Sequence, residues 1–126
     1  MVTDALSRQV DGDHYNNMKV QPVQLAYAIA DGDSCACKLF KYTQRDKDDP
    51  CLQLEKAIHC VELKIDLCPR SHDLSAAQDF MLMAYVEQAP VEHQEALEAI
   101  YRAFLEGYFV ECIHLLELHK TKIIPF

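Results

Sequence analysis

Two prolines bracket the segment that most limits what this chain can fold into. Pro50 and Pro69 enclose a stretch free of both proline and glycine. Proline is tolerated in the first turn of a helix and breaks its interior, so a helix can begin at Pro50 and must end before Pro69. Within it Leu54, Ile58, Val61, Ile65 and Cys68 recur at alternating four- and three-residue intervals. That spacing lines an apolar seam along one side of a helix. Asp48 and Asp49 precede the first turn, where negative charge favours the positive end of the helix dipole. A helix with such a seam is stable only when packed against other elements.

The rest of the chain supplies those elements in the same grammar. Residues 1–20 hold the cluster Asp11-Gly12-Asp13-His14-Tyr15-Asn16-Asn17 and read as loop. Gln21-Pro22 opens a helix that Gly32 stops. Asp33 or Ser34 caps the next, which runs to about Arg45, and the charged run Arg45–Asp49 turns the chain into the Pro50 helix. After the linker Pro69–Asp73, Asp73 or Ser75 caps a helix through Gln88. Pro90 opens another that ends at Gly107, and the last spans about Tyr108 to Lys122. The expectation is an all-α, compact bundle of about six helices in a single domain over residues 1–126. Ile58-His59-Cys60-Val61-Glu62-Leu63 echoes Ile113-His114-Leu115-Leu116-Glu117-Leu118, which suggests two three-helix halves, 11–68 and 73–126.

Charge and composition then remove several function classes. The formal net charge of −8 repels a phosphate backbone, so binding to a nucleic acid duplex is not expected, although a local anion site is compatible with it. No run of 18 apolar residues spans a membrane, and Met1–Val10 lacks the apolar core of a signal peptide. The expected location is the cytoplasm. There the six cysteines read as buried small residues or free thiols, and Cys35-x-Cys37 lacks the second pair that a zinc site uses. Phosphate-loop, dinucleotide-fold, nucleophile-elbow and zinc-protease motifs are all absent.

What remains is a basic helix face beside an acidic one. Lys38, Lys41 and Arg45 fall at i, i+3 and i+7 on one side of the second helix, with Lys56 near by in sequence. Arginine binds phosphate bidentately and lysine as a point charge. Tyr42 or Tyr15 can stack on a base, and His14 can donate to a phosphate or move a proton. Glu55, Glu62 and Asp66 fall at i, i+7 and i+11, and carboxylates of this kind hold magnesium. The plainer reading of both faces is solvated surface whose ion pairs contribute about 0.5 kcal/mol each.

These residues also carry a resemblance. Asp13-His14-Tyr15, Gln21-Pro22-Val23, Lys41-Tyr42-x-x-Arg45 and Leu54-x-Lys56-Ala57 follow one another in the order of a phage-borne helical domain family. The family is described as nucleotide kinases and is related to the nucleotide kinase of T7-like phages. The resemblance covers about residues 11–67. Lys38 stands where relatives commonly carry asparagine, and residues 73–126 have no counterpart in the pattern. The resemblance implies a nucleotide-binding phage protein acting in the host cytoplasm, a kinase of deoxynucleoside monophosphates that works without a phosphate loop. It implies catalytic roles for His14 and Arg45, and nucleotide contacts by Tyr15, Lys41, Tyr42 and Lys56, which Lys38 joins from the basic face. Two alternatives stand beside it. One is a non-enzymatic protein that binds a host protein or sequesters a signalling nucleotide. The other is a magnesium-dependent helical pyrophosphohydrolase using Glu55, Glu62 and Asp66. Paired three-helix layers of this size commonly bury apolar faces between copies, so a homo-oligomer is expected.

Overall fold

The computed structural model describes residues 19–45 and 49–123. They form six helices: α1 (Pro22–Ile29), α2 (Ser34–Thr43), α3 (Pro50–Leu67), α4 (Ala76–Val86), α5 (Val91–Leu105) and α6 (Phe109–Ile123). The all-α bundle is the one the sequence predicts. His14, Tyr15, Lys47 and the tail Ile124-Pro125-Phe126 lie outside the described residues.

Each helix start has a local cause. The Asp33 carboxylate accepts from the Ala36 N–H at 3.0 Å and caps α2. Asp49 does the same for α3 through Cys51 N–H at 2.9 Å, with Pro50 behind it. Ser75, not Asp73, caps α4 in a reciprocal box with Gln78. Between α1 and α2 the chain turns through Asp31 and Gly32, both at positive φ. A Cβ on Gly32 would sit 2.9 Å from the Tyr27 ring, so this turn needs glycine for space as well as for backbone angle.

The two halves stack counterpart on counterpart. α1 packs on α2 and α2 on α3; α4 packs on α5 and α5 on α6. Across the halves α1 meets α4, α2 meets α5 and α3 meets α6. The core runs between them, with Leu25, Leu39, Phe40, Leu54 and Val61 from the first half facing Leu82, Tyr85, Leu97, Ile100, Tyr101, Phe104 and Leu116 from the second. The echo between α3 and α6 is the shared burial of this layout. Val61 and Leu116 are buried, while His59, His114, Glu62 and Glu117 are exposed.

Two expectations about faces change. The α3 seam is expected to reach Ile65 and Cys68, yet both are exposed. The buried stripe instead takes in Gln53, Ala57, Cys60 and Lys64, because α3 is covered on two sides, by α2 and by α6. In α4, Leu82 and Tyr85 are core, but Phe80 is 79% exposed. All six cysteines are free. Among the described residues, no helix is long and apolar enough to cross a membrane.

Candidate functional site

Tyr42 is the pivot of the site. The short turn between α2 and α3 makes the two helices antiparallel neighbours, and residues about equally far from the turn come abreast. Lys38 and Lys56, five residues before the end of α2 and six after the start of α3, are such a pair, and Tyr42 lies one turn further along α2. The Lys41 ammonium lies 5.6 Å from the Tyr42 ring centroid, and that of Lys56 lies 5.8 Å from it. Both are within cation–π range. Beside them a shallow hollow of about 530 Å³ brings Lys38, Tyr42, Glu55, Lys56 and His59 together. Four of the residues picked out by the sequence thus share one surface with Tyr42.

On its other side Tyr42 also lines a larger cleft of about 1140 Å³ at one end of the bundle. Here the last turn of α2, the first turn of α3, the α4–α5 turn and the end of α6 converge. Arg45 and Lys19 line it as cations, and Leu54 and Leu97 give it apolar wall. Four hydrogen bonds, buried or partly so, fix the α2 side. The Thr43 hydroxyl and the Tyr101 hydroxyl are 2.5 Å apart. The Gln44 amide donates to the Tyr85 carbonyl at 3.1 Å and to Tyr101 Oη at 3.3 Å. Tyr85 Oη donates to the Phe40 carbonyl at 2.7 Å, and burial raises the Tyr101 phenol well above its ordinary range, so that it stays neutral. On the far rim Gln88 accepts from Val20 N–H at 2.6 Å and donates to Val20 O at 3.0 Å, tying the segment before α1 to the end of α4.

Two features inside the cleft do not follow from the sequence. Gln53, 1% exposed, lines it, and neither its Oε1 nor its Nε2 has a hydrogen-bond partner. The amides of Gln44, Gln78, Gln88 and Gln94 are all bonded. A buried amide without partners costs free energy, so its retention asks for a function. The second feature is a histidine pair. His93 and His119 stack edge to face with centroids 5.1 Å apart. Burial, then the neighbouring His93 and Lys122, hold His119 below the ordinary imidazole range. A polar residue at core spacing in α3 was the available signal for Gln53. The histidines come from different helices and left none.

The acidic face behaves differently. Glu55 is drawn to Lys120 of α6 at 3.9 Å, and Glu62 stands 3.9 Å from His59. Asp66 is exposed near the end of α3. Among the described residues, no three His, Cys, Asp or Glu side chains come close enough to hold a metal ion. Glu55, Glu62 and Asp66 are therefore spread along the helix and do not converge on one point.

A second polar cluster lies away from the cleft, around the end of α3. The Lys64 ammonium, 1% exposed, donates to Asp33 and stands 3.4 Å from His72 Nε2. Lysine can only donate, so Nε2 accepts and Nδ1 carries the proton toward Asp31 Oδ2, 3.5 Å away. Arg70 donates to the same Asp31 carboxylate at 2.7 Å. Burial alone would raise Asp33; hydrogen bonds from Lys64 and from the Ala36 N–H outweigh it and hold its carboxyl below the usual range. Burial, then the Lys64 ammonium, depresses His72. This cluster clamps the α3–α4 linker to the α1–α2 turn.

No protein-family model, curated protein or solved structure matches this chain.

Proposed function

We propose that the chain binds a nucleotide on the Tyr42 surface. The observation that carries this reading is the convergence of Lys41 and Lys56, from two helices, on one tyrosine ring, with Lys38 in the same hollow. In a protein of net charge −8, three lysines around an aromatic ring outweigh the Glu55 carboxylate beside them and form a local anion site. Lysine ammoniums hold phosphate oxygens as point charges and the ring offers a stacking face. Arg45 carries the same charge to the mouth of the cleft. The resemblance of its motif order to the phage nucleotide-kinase family points to the same ligand class.

The reading is binding first. Phosphoryl transfer to a deoxynucleoside monophosphate adds a proton carrier, for which His14 is the proposed residue, and magnesium travels with the phosphates of the nucleotide. Calorimetric titration of a deoxynucleoside triphosphate, and of inorganic triphosphate, into the wild-type chain and into the Lys41→Ala/Lys56→Ala double variant tests the platform. Binding that weakens about ten-fold or more in the double variant supports it, each charged contact contributing about 1 kcal/mol. Equal binding overturns it. Incubation with a monophosphate acceptor and a triphosphate donor then separates the activities. A diphosphate product adds the kinase step, and its absence leaves a protein that holds or sequesters a nucleotide.

A further inference from the structure

We infer that the large cleft is the base pocket of this site, and that Gln53 reads adenine there. The inference rests on the nucleotide reading and deepens it. Tyr42 lines both the lysine hollow and the cleft, so a ligand with its phosphates on Lys41 and Lys56 has its other end beside the cleft mouth. The cleft is larger than common small-ligand pockets require. Leu54 and Leu97 offer apolar contact, and the His93–His119 pair offers ring faces and edges.

The deciding group is the Gln53 amide. Gln53 lines the cleft and is almost wholly buried; its amide has both donor and acceptor unused and is covered in the free protein, so it turns outward to meet a base. A carboxamide presents an N–H donor and a carbonyl acceptor side by side. The matching edge is one acceptor beside one donor, which adenine offers at N7 and N6: the Gln53 Nε2–H donates to N7, and its Oε1 accepts from the 6-amino group. Neither bond replaces a bond inside the protein, so turning the amide toward the base breaks no hydrogen bond. The folded chain leaves the amide unpaired and a bound base satisfies it.

The experiment uses the full chain and three probes: adenosine, purine riboside (which lacks only the 6-amino group) and inorganic triphosphate. Wild-type protein is expected to bind adenosine about ten-fold more tightly than purine riboside, the discrimination a bidentate amide contact gives. In Gln53→Leu that difference is expected to fall to within about two-fold, while inorganic triphosphate binds as before. Gln53→Met repeats the measurement in a side chain of closer shape, and a thermal melt of each variant shows that it is folded. Equal binding of the two nucleosides by the wild type, failure of both to bind, or discrimination surviving in both variants overturns the inference. The platform stands or falls separately. Triphosphate binding that depends on Lys41 and Lys56, without any effect of Gln53, defeats the base pocket alone. Adenosine discrimination without triphosphate binding defeats the platform alone.

Discussion

Replacing Gln53 with leucine is expected to make the free protein more stable while weakening the binding of its adenine ligand about ten-fold. The two side chains are close in volume, and the site is 1% exposed, so the packing of α3 against its neighbours is kept. What is lost is an amide with no partner. Leaving such a group buried costs about 1–3 kcal/mol, which the variant recovers in part, a gain of about 1–2 kcal/mol. For a chain of this length that raises Tm by about 4–8 °C. The assay is a thermal melt followed by circular dichroism, with and without an adenine nucleotide. At a hundred-fold excess over Kd the ligand stabilises the wild type by about 2.7 kcal/mol. The variant should melt higher than wild type without ligand and, with Kd about ten-fold higher, gain only about 1.4 kcal/mol on its addition. A leucine variant that melts lower than wild type refutes the reasoning, because it would mean that the amide makes a stabilising bond in the free protein. Gln53→Ala serves as the contrast. It removes packing as well as the amide, so a cavity cost offsets the gain and its Tm should lie below that of the leucine variant.

Other perturbations test the frame around the site. Lys64→Met removes the buried cation between Asp33 and His72; it should destabilise the fold by about 3–5 kcal/mol in a denaturant titration, and adding Asp33→Asn should recover part of the loss. Tyr101→Phe deletes the hydroxyl shared by Thr43 and Gln44; about 1 kcal/mol of stability should go, with weaker nucleotide binding because the last turn of α2 positions Tyr42 and Arg45. Stability should be full above pH 6.5 and decline as the pH falls below it. His72 and His119 are held below that ordinary value, so the unfolded chain takes up protons near 6.5 that the folded chain refuses. A further loss should follow as the pH drops below 3.8 through the depressed value of Asp33. Urea melts across this range measure both, and His72→Phe should flatten the first decline.

Much of the fold was legible because its signals are local. Pro50 and Pro69 delimit α3, Asp33, Asp49 and Ser75 cap their helices, and apolar spacing gives each helix an inner face. Lys41, Tyr42 and Lys56 were legible as a basic helix face with an aromatic residue and a lysine near by in sequence; that the two lysines meet at the Tyr42 ring was not. Faces set by a second neighbour were not. The α3 seam was expected on one side only, and cover from both α2 and α6 rotates the buried stripe toward Gln53 and Lys64. Partners distant in sequence were not legible either. Asp33 meets Lys64, and His93 meets His119, only because the halves stack counterpart on counterpart. Glu55 shows both cases. Its helical spacing with Glu62 and Asp66 was legible, and its neighbour Lys120 on α6 was not.

The central claim is that one nucleotide spans the Tyr42 platform and the Gln53 cleft. A nuclear magnetic resonance titration of the labelled chain with deoxyadenosine triphosphate tests it most directly. The account predicts saturable shifts that are largest at Tyr42, Lys56, the Gln53 side-chain amide and the His119 ring, with the Lys64–Asp33–His72 cluster unmoved. Shifts confined to that cluster, or none at the Gln53 amide and Tyr42 at saturating nucleotide, would contradict it.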